Sequence, residues 1–188
     1  MKFCPSCGSA NEIRIPEGDS RERAVCSTCA TIHYVNPKIV LGTIPVWEDQ
    51  VLLCRRAIEP RLGFWTLPAG FMEVQESTAQ GAIRETFEEA GAEIDLGDLF
   101  SVFDIPHVDQ VHLFYLAKLR HLEMAPGPES LEIRLFRESE IPWDDIAFRT
   151  ITATLRFYFR DRKEGRYGLH TGDIRQIQLP HDPFAPLG

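Results

Sequence analysis

The sequence of 188 residues has little of what marks several large classes of protein. No apolar run approaches the roughly 18 residues that a membrane helix needs, so no membrane segment is expected. Basic residues are the minority, 20 against 28 acidic ones, and the formal charge of −8 argues against a nucleic-acid-binding surface over the whole molecule. Repeats and low-complexity tracts are lacking, and 44% hydrophobic with 26% charged residues is close to the average of soluble globular proteins. Disordered and collagen-like chains are therefore excluded.

The N-terminus and the cysteine count both indicate a reducing compartment. Met1-Lys2-Phe3-Cys4 opens no apolar stretch of the kind found in secretory signals. The five cysteines are an odd number, which argues against a complete disulfide framework. We therefore expect a cytoplasmic protein. Cys54, alone in the apolar run Val51–Cys54, is predicted to be a buried core thiol.

The other four cysteines form two pairs, Cys4-x-x-Cys7 and Cys26-x-x-Cys29, with 18 residues between the pairs. This spacing is typical of zinc ribbons, in which two knuckles close a tetrahedral site of four thiolates. The intervening segment is polar and would not build a core unaided, so the metal would supply folding energy. We predict a structural Zn²⁺ site in a ribbon of residues 1–36; a redox pair is the alternative.

The remaining sequence, residues 37–180, is predicted to form one α+β domain. A helix is predicted over Asp144–Arg162, a second helix lies further upstream, and the tail from Leu179 is expected to be irregular. Mixed strands with two interior helices favour an α/β/α sandwich with a mixed sheet. The predicted strands are Ile39–Trp47, Val51–Arg55, Gly63–Leu67, Leu99–Ile105, Val111–Leu119 and Leu131–Phe136.

The upstream helix lies within the acidic segment Gly70–Ala92. Ser77 and Gln80 form a capping-box pattern that predicts its start, and Gly91 predicts its end. At 3.6 residues per turn, one face gathers Ala79, Ile83, Thr86 and Ala90, and the roughly opposite face gathers Glu85, Glu88 and Glu89. Three like charges at this spacing repel one another, and a divalent cation would relieve the repulsion, since Mg²⁺ and Mn²⁺ prefer carboxylate oxygens. The alternative is an acidic helix that faces solvent.

This segment resembles the Nudix box, G-x5-E-x7-R-E-U-x-E-E-x-G-U, in which U is a bulky aliphatic residue. Gly70, Glu76 and Arg84–Ala92 supply every fixed Gly, Glu and Arg, although Thr86 and Ala92 at the U positions are smaller than usual. A zinc ribbon precedes the Nudix domain in some members of this superfamily. Over nearly the whole chain the sequence is similar to the plant FAD and ADP-ribose pyrophosphatases of the group. The supporting blocks are Phe3-Cys4, Tyr34–Lys38, Leu53–Arg56, Trp65–Gly70 and Ala125–Glu132.

The resemblance implies a metal site and a structural ion pair. Glu85, Glu88 and Glu89 would bind catalytic Mg²⁺ or Mn²⁺, and the backbone carbonyl of Gly70 would add a further oxygen. Glu76 would pair with Arg84 and hold the loop against the helix.

The general base and the substrate contacts are less sharply implied. Glu89 is one candidate base, and a later glutamate is another, with Glu132 preferred over Glu129. Arg55 and Arg56 follow a strand and would meet phosphate, or else form an exposed pair. Candidates for stacking on a substrate ring, each of which also fits the core, are Phe64, Trp65, Phe103 and Tyr115.

The implied activity is hydrolysis of the pyrophosphate bond of a nucleoside diphosphate derivative, FAD or ADP-ribose, with release of AMP. An NADH or NAD-cap pyrophosphatase is the alternative, disfavoured because the S-Q-P-W-P-F-P-x-S block of such enzymes is missing. A non-catalytic regulator is disfavoured by the intact box. The expected partner is a small nucleotide, with no nucleic acid and no membrane, and family analogy suggests a homodimer. Residues 70–93 hold six acids and one base, so −5 of the charge of −8 is local, which favours binding of phosphate through metal ions.

Overall fold

We examined a computed structural model of the chain, in which residues 1–174 are described. The predicted domain end at residue 180 and the predicted irregular tail from Leu179 lie outside the described residues. The chain divides into two compact units, Met1–Pro37 and a second that begins at Lys38. Neither α-helix of the described chain has the length and apolar composition needed to cross a membrane.

The first unit is built on a small antiparallel sheet. Its strands, in the spatial order β1-β2-β3, are Asn11–Arg14, Arg23–Cys26 and Ile32–His33. The buried hydrophobic side chains number four, Cys4, Ala24, Val25 and Cys26, and two of them are cysteines of the predicted metal site. So small a core agrees with the expectation that metal contributes to folding.

The second unit is a mixed sheet with one helix on each face. The helices are α1, Thr78–Ala90, and α2, Arg149–Glu164. The sheet order is β10-β5-β4-β9-β8-β11, with β6 beside β5 and β7 beside β4; the pairs β4–β9 and β8–β11 are parallel. The strands are β4 Lys38–Trp47, β5 Gln50–Arg56, β6 Trp65–Thr66, β7 Ala69–Phe71, β8 Ile94–Ile105, β9 Gln110–Leu119, β10 Ser130–Phe136 and β11 His170–Asp173.

Strand alternation divides the core into two layers. Leu53 packs with Phe114 and with Ile151 of α2, whereas its neighbour Leu52 packs with Ala90 of α1 on the opposite face. The predicted α+β class and α/β/α sandwich are confirmed. Cys54 is buried in the layer beside α1, as predicted.

The predicted bounds of α1 are confirmed. Ser77 and Gln80 form both hydrogen bonds of the capping box, and Gly91 ends the helix with a φ of 59°. The predicted helical face is partly wrong, because Ile83 is 42% exposed whereas Glu89 is 8% exposed. The predicted start of α2 at Asp144 is also wrong: a 3-10 turn over Trp143–Asp145 precedes the helix, and Phe148 is still extended.

Candidate active site

The four paired cysteines of the first unit converge on one point. Their sulfurs lie within 4.8 Å of one another, with Sγ–Sγ distances of 3.7 Å for Cys4–Cys29 and 3.4 Å for Cys7–Cys26. A tetrahedral Zn²⁺ with Zn–S bonds of about 2.3 Å places sulfurs about 3.8 Å apart, so the cluster fits this ion. The residues that follow each pair, Gly8 and Ala30, both adopt positive φ, which turns each knuckle toward the centre.

In the second unit, Arg84 ties the loop before α1 to the helix. Its Nε and Nη2 donate to the two carboxylate oxygens of Glu76 at 3.1 and 2.8 Å, a bidentate fork. Its Nη1 donates to Glu85 at 2.6 Å and to Glu88 at 3.0 Å. The hydrogen bonds from Arg84 to Glu76 lower the pKa of Glu76. The predicted pair of Glu76 and Arg84 thus has the geometry of a structural clamp, which also orients two candidate metal ligands.

Gly70 lies in β7, directly against the carboxylate of Glu85. A Cβ at this position would overlap the Glu85 carboxylate, so only glycine leaves room for it. The close approach brings the Gly70 backbone to the acidic face of α1, where the sequence predicts a metal site.

Glu89 is the most buried carboxylate of α1. Its Oε2 accepts a hydrogen bond from the backbone N–H of Ala69 at 3.1 Å. Burial is the main reason why the pKa of Glu89 is raised to about 8. The carboxylates of Glu85 and Glu129 act in the same direction, and the hydrogen bond from Ala69 and the charge of Arg56 oppose them. Burial also raises the pKa of Glu85. Carboxylates crowded in this way are a donor set of hard oxygens, which fits Mg²⁺ or Mn²⁺.

Glu129 reaches the cluster on a loop that is pinned to the end of α1. The backbone N–H of Ala125 donates to Ala90 O at 3.2 Å, and that of Gly127 donates to Glu89 O at 3.0 Å. A Cβ on Gly127 would overlap the carbonyl of Glu88, so the approach requires glycine there. The block Ala125–Glu132, identified by resemblance, therefore places a fourth carboxylate beside those of the helix.

The three carboxylates of α1 and that of Glu129 line a cleft of ≈ 1150 Å³. Of the predicted site residues, the described lining includes Gly70, Arg56, Arg84, Glu85, Glu88, Glu89 and Glu129. Arg56 stacks on the ring of Phe148, with 5.2 Å between the guanidinium carbon and the ring centroid.

Glu132 and Arg55 are absent from the described residues that line the cleft. Glu132 lies opposite Arg55 in the β10–β5 register, beyond an irregularity between Ser130 and Glu132. Their side chains are half-exposed and approach to 3.8 Å. The structure thus brings Glu129 and Arg56 to the cluster and leaves Glu132 and Arg55 outside it.

The aromatic candidates for ring stacking lie outside the described lining of the cleft. Trp65 packs edge-on against Phe136 and Phe103 is buried, while the Tyr115 hydroxyl hydrogen-bonds to Thr78 at 2.7 Å. Phe64 lies beneath the guanidinium of Arg61.

Sequence reasoning missed cleft residues on the other wall, namely Gln110, His112, Phe148 and Thr150. One signal was available for two of them. Gln110 and His112 are polar residues at alternate positions of a largely apolar strand, on the face that carries the buried Phe114.

Comparison with known families gives two matches that together span most of the chain. Residues 2–35 match the zinc-ribbon model described as Nudix N-terminal, and residues 37–166 match the NUDIX domain model. These matches confirm the resemblance to the Nudix superfamily and to its members with an N-terminal zinc ribbon.

Individual relatives agree with the family matches. The crystal structure of a NUDIX hydrolase from Nitrosomonas europaea is 53% identical, with a TM-score of 0.90, and the match covers 93% of this chain and 99% of that one. The NAD-capped RNA hydrolase NudC of Vibrio vulnificus is 34% identical over 145 residues, 76% of this chain and 53% of the relative. An ADP-ribose pyrophosphatase of Methanocaldococcus jannaschii is 25% identical over 113 residues, 58% of this chain and 67% of the relative. The chain spans about half the length of the NudC relatives whose matches run over 145 residues.

Proposed function

The chain belongs to the Nudix hydrolase family, and we propose that it hydrolyses the pyrophosphate bond of FAD or ADP-ribose with release of AMP. The observation that carries this proposal is the cleft, in which Glu85, Glu88, Glu89 and Glu129 converge beside Arg56. At ≈ 1150 Å³ it exceeds the range of about 300–1,000 Å³ that is usual for small-molecule pockets. Such a cleft has room for a substrate with two groups joined through a pyrophosphate.

Glu85, Glu88 and Glu89 would hold the catalytic Mg²⁺ or Mn²⁺, and the Gly70 carbonyl is the further oxygen that the family pattern supplies. When bound, the metal polarises phosphoryl oxygens and offsets their negative charge. Arg84 keeps Glu85 and Glu88 in place through its hydrogen bonds to both.

Glu129 is our choice for the general base. It lies in the cleft and interacts electrostatically with Glu85 and Glu89, while its loop is fixed by hydrogen bonds to α1. In this role it takes a proton from the attacking water. Arg56, held by the hydrogen bond from its Nε to Pro60 O at 2.9 Å, would orient a phosphate of the substrate.

An NADH or NAD-capped RNA substrate is the second candidate, because several curated relatives carry the name NAD-capped RNA hydrolase. The missing S-Q-P-W-P-F-P-x-S block favours FAD or ADP-ribose. That block contains a tryptophan. The stretch Ser101–Val108, which contributes Ile105, His107 and Val108 to the cleft lining, contains none.

A panel assay of the purified chain tests the proposal. FAD, ADP-ribose, NADH, an NAD-capped RNA and nucleotide sugars are compared by kcat/KM with Mg²⁺ and with Mn²⁺, and Glu88→Gln serves as the inactive control. We expect the largest kcat/KM on FAD or ADP-ribose. A tenfold preference for NADH or capped RNA would make the second candidate correct, and intact FAD and ADP-ribose would refute the first.

A further inference from the structure

A polar relay lies on the cleft wall away from the carboxylates. It consists of Gln110 and His112 from β9 and Thr150 from the first turn of α2, and all three line the cleft. Gln110 and His112 are two residues apart in a strand, so both point to the sheet face on which α2 packs. Thr150 and His112 are buried, while Gln110 is partly exposed.

With the Gln110 amide oxygen turned toward His112, the chemistry of the three groups gives one consistent set of hydrogen-bond directions. His112 Nε2 lies 2.9 Å from Gln110 Oε1, which accepts only, so the imidazole proton is on Nε2. His112 Nδ1 lies 3.2 Å from the Thr150 hydroxyl and accepts its proton. Burial lowers the pKa of His112 to about 4, so the ring is neutral at pH 7 and has one N–H to donate.

This relay leaves the amide nitrogen of Gln110 available. Its oxygen is held by His112, and no residue in the described range 1–174 accepts a hydrogen bond from its Nε2. The neighbouring cleft lining includes the apolar side chains of Ile105, Val108 and Phe148, with His107 and Arg149 next to them in the sequence. Apolar side chains with a few placed polar groups are the usual lining of a small-molecule site.

The sheet register sets the distance from the relay to the carboxylates. Gly70 pairs with Leu41 on β4, and Leu41 pairs with Leu113 on β9. Two strand spacings and three residues along β9 place the Cα atoms of Gly70 and Gln110 about 14 Å apart. The gap suits a substrate with its pyrophosphate at the acidic end, its ring at Gln110, and a sugar chain between them.

We propose that Gln110 determines substrate specificity by donating a hydrogen bond from its amide nitrogen to a ring nitrogen or ring carbonyl of the bound nucleotide, with His112 and Thr150 as positioning residues. This inference rests on the proposed function for the position of the phosphates. The ring is adenine if the AMP half occupies this wall, and isoalloxazine if the FMN half does.

Equilibrium binding to the full chain with Mg²⁺ tests the proposal without requiring turnover. The ligands are AMP and FMN, compared with ribose 5-phosphate and ribitol 5-phosphate, which carry the phosphate without the ring. We expect the wild-type chain to bind AMP or FMN at least tenfold more tightly than the matching ringless phosphate. Which of the two it prefers identifies the half of the substrate at this wall.

Gln110→Met removes both amide donors without adding charge. This change is expected to lower the affinity for the preferred ring ligand about tenfold and to change the affinity for the ringless phosphate less than twofold. Gln50→Met, the same change at the start of β5 outside the described cleft lining, is the matched control. Thermal melts of each variant confirm that it is folded.

Thr150→Val and Thr150→Ser test the relay itself. The valine removes the hydroxyl that holds the imidazole, so it should lower the affinity for the ring ligand at least threefold. The serine keeps the hydroxyl and should restore wild-type affinity, which a purely structural role for the methyl group would not predict.

Two results would overturn the proposal. One is a Gln110→Met variant whose affinity for the ring ligand is within twofold of the wild-type value. The other is a wild-type chain that binds neither AMP nor FMN more tightly than the ringless phosphates. Ring binding that depends on Gln110 in a chain that hydrolyses neither FAD nor ADP-ribose would instead refute the proposed function and leave ring recognition intact.

Discussion

A buried pair of hydroxyls beneath α1 gives a prediction whose size follows from the structure. Thr43 of β4 and Thr86 of α1 are fully buried, and their hydroxyl oxygens lie 2.6 Å apart. Thr86 donates its proton to the carbonyl of Ala82 at 2.7 Å, so Thr43 is the donor between the two threonines. Thr86→Val preserves the shape of the side chain but leaves the Thr43 hydroxyl buried without an acceptor.

An unsatisfied buried hydroxyl costs about 1–3 kcal/mol, so Thr86→Val should lower the free energy of unfolding by that amount. For a chain of this size, each kcal/mol corresponds to about 2–4 °C in Tm. Replacing both partners by apolar groups of the same shape is nearly neutral, so adding Thr43→Val should recover most of the loss.

Urea unfolding and thermal melts of the two single variants and the double variant measure the coupling between these positions. Two results would refute the predicted coupling of the two hydroxyls. One is a Thr86→Val variant as stable as the wild-type chain; the other is a double variant less stable than Thr86→Val alone. The same pair explains how a small residue is accommodated where the Nudix box usually has a bulky aliphatic one.

The remaining predictions concern the active site, acid stability and zinc. Glu88→Gln or Glu89→Gln should nearly abolish turnover with the circular dichroism spectrum unchanged; near wild-type kcat in either would mean that the metal site is misassigned. Glu129→Gln should lower kcat about 10²-fold or more, as loss of a general base does, whereas Glu132→Gln should stay within about threefold. The reverse order in kcat would restore Glu132 as the base. Because the pKa of His112 is lowered to about 4 in the folded chain, the unfolded chain takes up the proton first as pH falls below about 6.5. The contribution of His112 to the free energy of unfolding should therefore fall by up to about 3 kcal/mol between about pH 6.5 and 4, whereas the raised pKa of Glu89 acts in the opposite direction. The measured quantity is thus the difference between two urea titrations: as pH falls over this range, the wild-type chain should lose stability relative to His112→Asn. Metal analysis should find one Zn per chain, and a folded ribbon free of zinc would contradict the four-cysteine site.

The sequence predicts α1 well because its end signals are local. The capping box at Ser77 and the positive φ of Gly91 depend on neighbours within one turn, so no tertiary information is needed. The start of α2 is different. The backbone N–H of Ala147 donates to Trp65 O at 2.8 Å, and this contact between distant segments holds the stretch in which Ile146 and Phe148 are extended.

The choice between the two late glutamates also depends on tertiary structure. Glu129 and Glu132 are three residues apart, and nothing local indicates which of them reaches the cleft. The outcome depends on the irregularity in the β10–β5 register and on the approach of Gly127 to the Glu88 carbonyl. Short strands such as β7, Ala69–Phe71, are missed for a related reason, since their pairing with β4 carries no sequence pattern of its own.

The distribution of charge shows how an acidic cleft can take an anionic substrate. Its described lining holds six carboxylates and four arginines, a formal net charge of −2 when every carboxyl group is ionised, even though a diphosphate must enter it. Arg84 contributes little to binding phosphate, because three carboxylates already accept its hydrogen bonds. One divalent cation makes the lining neutral and a second makes it positive, so the lining gains attraction for phosphate only as cations occupy it. The acidity that argues against a nucleic-acid surface on the whole molecule is therefore, at this one cleft, the feature that couples phosphate binding to metal binding.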